Sequence, residues 1–169
     1  MKIRKRHFLK SGEIRVLKNL IAENLGSDIL DVIPKKATIE LIVFDDGSRL
    51  YMIDGEPYFL EKKNKFFPTI WILDKFSMDF PKVVINLGAV MRVSKGADIM
   101  VPGITYINKN IKEGDIVIVV DEKHERVVAV GIALMSSDKI KESEKGRAIR
   151  NIHHVGDKLW KTVNEMLKS

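Results

Sequence analysis

Two apolar runs in the second half of the chain, Val117–Val120 and Val127-Val128-Ala129-Val130-Gly131-Ile132-Ala133, constrain the fold more than any other feature. β-branched residues lose side-chain freedom in a helix and pack well on a pleated surface. Runs this continuous need cover on both faces, so they predict a buried sheet or a small barrel. Gly114-Asp115 precedes the first run, and His124-Glu125 lies in the turn between the two. Lys82-Val83-Val84-Ile85 opens this strand-rich region, and Pro81 marks its plausible boundary.

The first half reads differently. Ile14, Leu17, Ile21 and Leu25 recur at helical spacing, with Ser11 as the predicted cap and Gly26 as the stop. The period then shortens. Thr38–Phe44 reads as a strand, Asp45-Asp46-Gly47 as a turn, Arg49–Ile53 as a strand, and Asp54-Gly55 as a second turn before Tyr58-Phe59-Leu60. Pro68 suits the first turn of a short helix reaching about Phe76. Further on, Ser136 or Ser137 is placed to cap a helical turn, and Arg147–Val155 reads as a last strand. Leu159, Trp160, Val163 and Leu167 form the apolar side of a terminal helix. The pattern is α+β, in two segments expected at 1–78 and 79–169.

Hydrophobic residues make up 45% and charged residues 31% of the 169, a globular composition, and the formal charge is +6. A basic excess attracts phosphate backbones. The chain has no cysteine, which excludes disulfides and thiolate-ligated metals. The basic start, Met1–Lys10, is followed by no run of signal-peptide length, so the expected location is cytoplasmic, away from membranes.

Gly96-Ala97-Asp98-Ile99-Met100-Val101-Pro102-Gly103-Ile104 carries two glycines and a proline around a short apolar run. Such a stretch shapes backbone for close approach and points to recognition over chemistry. Together with Asn86–Val90, Gly114–Val117, Ala129-Val130-Gly131, Lys145–Ile149 and Asn151–Trp160, it resembles a PUA domain, an RNA-binding module. Pro34-Lys35-Lys36, Phe66-Phe67-Pro68-Thr69 and the ending Ile-His-x-x-x-Asp-x-Leu-Trp extend the likeness over nearly the whole chain, to the malignant T-cell amplified sequence family. The resemblance implies an N-terminal α/β pre-PUA domain followed by a C-terminal PUA β pseudo-barrel. It implies a translation role as well, with the small ribosomal subunit, in releasing tRNA or in initiation. Val101 stands where the eukaryotic members tend to have a cysteine, and the Lys- and Ile-rich composition is similar to the archaeal branch. The eukaryotic partner is then replaced by a separate initiation-factor-like protein, or by none.

In PUA domains RNA meets the first helix, the glycine-containing loop after it and the last strand. By matching position these are Gly88–Lys95, Gly96–Gly103 and Arg147–His154. Gly96, Ala97 and Gly103 would bring backbone N–H groups to phosphate or ribose. Arg92 and Lys95, three apart on the predicted helix, would share a face. Met100 is a candidate apolar base contact, Arg147 and Arg150 would extend a basic track, and His153 would stack on a base. The glycines also fit plain turns, Met100 fits core filling, and Asp98 fits a local turn acceptor. Phe66 and Phe67, if exposed, would mark a partner surface, and Lys62-Lys63-Asn64-Lys65 reads as a solvated loop or a second phosphate contact.

His153 and His154 are adjacent on a strand, face opposite ways, and are poorly set to share a metal ion. No nucleophile elbow, phosphate-binding loop, dinucleotide fingerprint or zinc signature is present. The sequence therefore predicts a non-catalytic RNA-binding protein without metal or cofactor, directed at tRNA or rRNA. An alternative is a module that presents RNA to a transglycosylase or pseudouridine synthase.

Overall fold

A computed structural model describes residues 1–169. The chain folds as two compact units, Met1–Met78 and Asp79–Ser169. Both mix helices and strands, the α+β architecture that the change of hydrophobic period predicts.

The first unit is an antiparallel meander in sequence order: β1 (Ile3–Phe8), β2 (Ile39–Phe44), β3 (Arg49–Ile53), β4 (Glu56–Lys62) and β5 (Lys65–Pro68). Helix α1 (Ser11–Leu25) buries Leu17 and Ile21, and Phe44, Phe59 and Phe67 fill the core. Ser11 lies inside the helix. Its N-terminus is instead closed by Glu13, whose carboxylate accepts the Lys10 N–H at 3.0 Å. Lys63 and Asn64, both at positive φ, make the tight β4–β5 turn, so the Lys62–Lys65 stretch is a hairpin. Phe66 and Phe67 are buried and form no exposed patch. Pro68 ends β5, and Thr69 caps α2 (Ile70–Lys75) through its side chain.

The second unit holds β6 (Lys82–Ile85), α3 (Leu87–Val93), β7 (Ile99–Met100), β8 (Ile104–Ile107), β9 (Ile116–Asp121), β10 (Val127–Ala133), α4 (Ser137–Glu142), β11 (Arg147–His154) and α5 (Lys158–Lys168). The sheet runs β7-β11-β10-β9-β6-β8, with only β6 and β9 parallel. Its two edges, β7 and β8, are joined by the single 3-10 turn Val101–Gly103. Laid flat, six strands would hold these edges about 24 Å apart, whereas three residues span about 10 Å. The sheet must therefore curl into a nearly closed barrel with a seam between β7 and β8. Val83, Ile85, Val117, Val119 and Ile149 fill the interior. Of the two candidate caps for α4, Ser136 accepts the Lys139 N–H at 3.2 Å, while Ser137 is buried. No helix is long and apolar enough to cross a membrane.

Candidate nucleic-acid interface

Helix α3 starts at Asn86, whose side chain accepts the Ala89 N–H at 2.8 Å. It ends in a tight turn. The Lys95 and Ala97 N–H groups donate to Arg92 O, and Gly96 N–H donates to Val93 O at 2.9 Å. Gly96 has φ +98°, a region that disfavours any side chain, so the glycine is required for conformation. Strand β11 clamps this turn. Asn151 Nδ2 donates to Val93 O at 3.2 Å and to Ala97 O at 3.0 Å, and its backbone N–H donates to Asp98 Oδ1 at 2.9 Å. Asp98 Oδ2 also meets Arg147 Nε at 3.4 Å. Asp98 is thus a cross-sheet anchor, where sequence reasoning expects a local turn acceptor.

The residues predicted to touch RNA separate into two groups. Arg92, Lys95, Gly96, Ala97, Met100, Arg147 and Arg150 are all exposed. Arg92 and Lys95 lead into the loop, and Arg147 reaches it across the sheet, in register with Met100. Lys95 lies beyond the helix end, so its nearness to Arg92 comes from the turn and not from a shared helical face. Arg150 sits further along β11, opposite Ile132, without an ion-pair partner. Gly103 and His153 differ. A Cβ at Gly103 would stand 2.7 Å from Ala89 Cβ, so this glycine lets the Val101–Gly103 turn pack on α3. His153 is 0% exposed, with Nδ1 held 2.8 Å from Asp157 Oδ2, and it presents no face to a base.

Burial works to raise the Asp157 carboxyl. The His153 hydrogen bond and charge, with the Trp160 and His154 N–H groups, outweigh it and hold the carboxyl below the ordinary aspartate value. His154 takes the position at the loop that sequence reasoning assigns to its neighbour. Its Nδ1–H donates to Val155 O at 2.9 Å, and its Nε2 lies 3.7 Å from the Cβ position of Gly96. Asn151 and His154 lie in the Arg147–His154 segment matched to RNA, but the sequence reading singles out neither. Nor does it single out the apolar pair Leu87 and Met91, four apart on α3 and 51% and 63% exposed. Unpaired cations beside exposed methionines and a clamped backbone turn suit a ligand that is anionic along one side and apolar along the other.

The two units match two family models, a Pre-PUA-like domain over residues 1–76 and a PUA domain over residues 81–155. An uncharacterized protein of Methanocaldococcus jannaschii is 42% identical, over 95% of this chain and 98% of its own length. Translation machinery-associated protein 20 of Saccharomyces cerevisiae is 35% identical, over 94% of this chain and 92% of its own. Among solved structures, a hypothetical protein of Pyrococcus horikoshii superposes with a TM-score of 0.79 at 34% identity, covering 94% of this chain and 99% of that one. With both domain models matched in order and relatives aligned end to end, the chain belongs to the pre-PUA and PUA family that includes Translation machinery-associated protein 20 and Malignant T-cell-amplified sequence 1.

Proposed function

We propose that this protein is a non-catalytic RNA-binding factor of the translation apparatus, contacting tRNA or small-subunit rRNA in ribosome recycling or initiation. The observation that carries the reading is the loop after α3. It is clamped to β11 by Asn151 and Asp98, and it is flanked by Arg92 and Lys95, whose charges no carboxylate neutralises. A fixed backbone with free cations beside it is what a phosphate chain needs: the Lys95, Gly96 and Ala97 N–H groups are spent within the turn, so the cations supply affinity and the clamped turn sets their register. The fungal relatives are translation machinery-associated proteins, which supports that setting for this chain. On the small subunit it works with a separate initiation-factor-like protein or with none, and co-purification distinguishes the two.

Filter binding to tRNA and to small-subunit rRNA across a salt series tests the reading. The expected result is binding that weakens steeply with salt. The Arg92→Ala, Lys95→Ala double variant should bind less tightly and flatten the slope by up to about two. No measurable binding of either RNA at low salt would sink the proposal. Co-purification with a pseudouridine synthase or transglycosylase in place of ribosomal subunits would move it to the accessory-module alternative.

A further inference from the structure

The seam of the second unit holds a cleft that the interface above does not use. It has a volume of about 560 Å³ and lies between the edge strand β8 and the end of α4. Val101, Ile104, Ile107 and Ile140 supply apolar surface, and Tyr106, Lys141, Ser143 and Glu144 supply polar groups. Tyr106 is 61% exposed on a strand whose outer edge pairs with nothing. An exposed aromatic on an open edge invites self-association unless something else covers it. The size is that of a small-ligand site, and the mixed lining suits a flat ring with a polar rim.

The position of the cleft narrows the ligand. Val101 and Pro102 line it and directly follow Met100, the residue in register with Arg147. Val101 N–H donates to Gly146 O at 2.9 Å, which ties this corner to the start of β11. An RNA strand that meets Met100 and Arg147 therefore has Val101 and Pro102, at the rim of the cleft, as the next residues along the chain. Lys141 is exposed and has no ion-pair partner, so it is available to a phosphate. Glu144 repels a phosphate and accepts hydrogen bonds from exocyclic amino groups, which turns the base edge toward it.

We propose that the β8–α4 cleft is a binding site for one unpaired RNA nucleotide, its base stacked on Tyr106 and its phosphate at Lys141. The site rests on the RNA-binding reading above and extends it from the phosphate chain to a single-stranded end or bulge. Stacking on an aromatic is tolerant of sequence, so the cleft selects strandedness first.

The test uses the full chain, a ten-nucleotide cytidine RNA and an RNA duplex of equal length, with binding read by fluorescence anisotropy. Tyr106→Ala should weaken cytidine-RNA binding about tenfold, Tyr106→Phe should keep most of it, and duplex binding should not change. Lys141→Gln should flatten the salt slope for the cytidine RNA by about 0.7. Tyr106 is exposed, so circular dichroism of the variants should match that of the parent chain. Equal binding of the cytidine RNA by Tyr106→Ala and the parent would overturn the cleft and leave the proposed function standing. Equal weakening of cytidine RNA and duplex would do the same, since strandedness would then not be what Tyr106 reads. No binding of tRNA, cytidine RNA or duplex by the parent chain would overturn both.

Discussion

Asp157 holds three groups with one carboxylate: the buried His153 ring, the His154 backbone N–H and the Trp160 N–H that opens α5. These donors favour the charged form, and the folded carboxyl binds its proton less readily than the unfolded one. The stabilisation is therefore complete above the ordinary aspartate value, about 3.9, and is lost as pH falls through the depressed folded value. Asp157→Asn keeps an oxygen for the cap and removes the charge beside His153. It should cost about 2 kcal/mol at pH 7 in urea unfolding, with the gap to the parent closing as the pH is lowered into the acid range. A gap that did not change with pH would mean that the charge contributes nothing. Gly103 gives a second prediction at this scale. Its missing Cβ makes room for Ala89, so Gly103→Ala should destabilise by about 1–3 kcal/mol through overpacking. Gly88, where a Cβ would meet only Asn86 Oδ1 at 3.5 Å, should accept alanine without loss. Thermal melts of the two variants make the comparison.

Among the elements, the α3 loop and β11 act as a pair because Asn151 spans them. Asn151→Ala removes the clamp on Val93 O and Ala97 O but removes no cation. RNA affinity should fall severalfold while the salt slope stays at the parent value, the reverse of the pattern expected for Arg92→Ala. A changed slope would indicate that Asn151 holds a cation in place and not the backbone. Much of this level was legible in the sequence. The helix through Leu17 and Ile21, the hairpins at Asp45-Asp46-Gly47 and Asp54-Gly55, and the runs of β9 and β10 carry their period or turn residues locally. Strand β1 was not legible. Ile-Arg-Lys-Arg-His-Phe has no apolar alternation, and its place is set by the backbone ladder to β2 at a sheet edge, where charge discourages further pairing. Strands β7 and β8 are too short to carry a period. The inward turn of His153 was hidden as well, because alternation says only that two neighbours differ. Asp157, four residues on, decides which of them faces in.

Across the whole molecule the positive charge is shared evenly. Met1–Met78 has 14 Lys and Arg against 11 Asp and Glu, and Asp79–Ser169 has 15 against 12. Net charge therefore does not say which unit meets RNA, and any difference between them must come from how cations are placed. Strand β1 sets Arg4 and Lys5 on an open edge, and Arg6 is engaged by Glu40 at 2.9 Å. In the second unit Arg92, Lys95 and Lys141 have no carboxylate partner and flank a fixed loop or a cleft. That unit also has its own closed core, with Val83, Val117, Val119 and Ile149 all fully buried. Residues 79–169 expressed alone should thus melt cooperatively and bind the ten-nucleotide cytidine RNA within about threefold of the full chain. The salt slope should also be close to that of the full chain, because the phosphate contacts go with this unit. A folded fragment that binds tenfold more weakly with a flatter slope would move phosphate contacts to the first unit, with Arg4 and Lys5 the next residues to neutralise. Comparing the fragment's slope with that of the full-length Arg92→Ala, Lys95→Ala variant then separates loss of contacts in one unit from loss in the other.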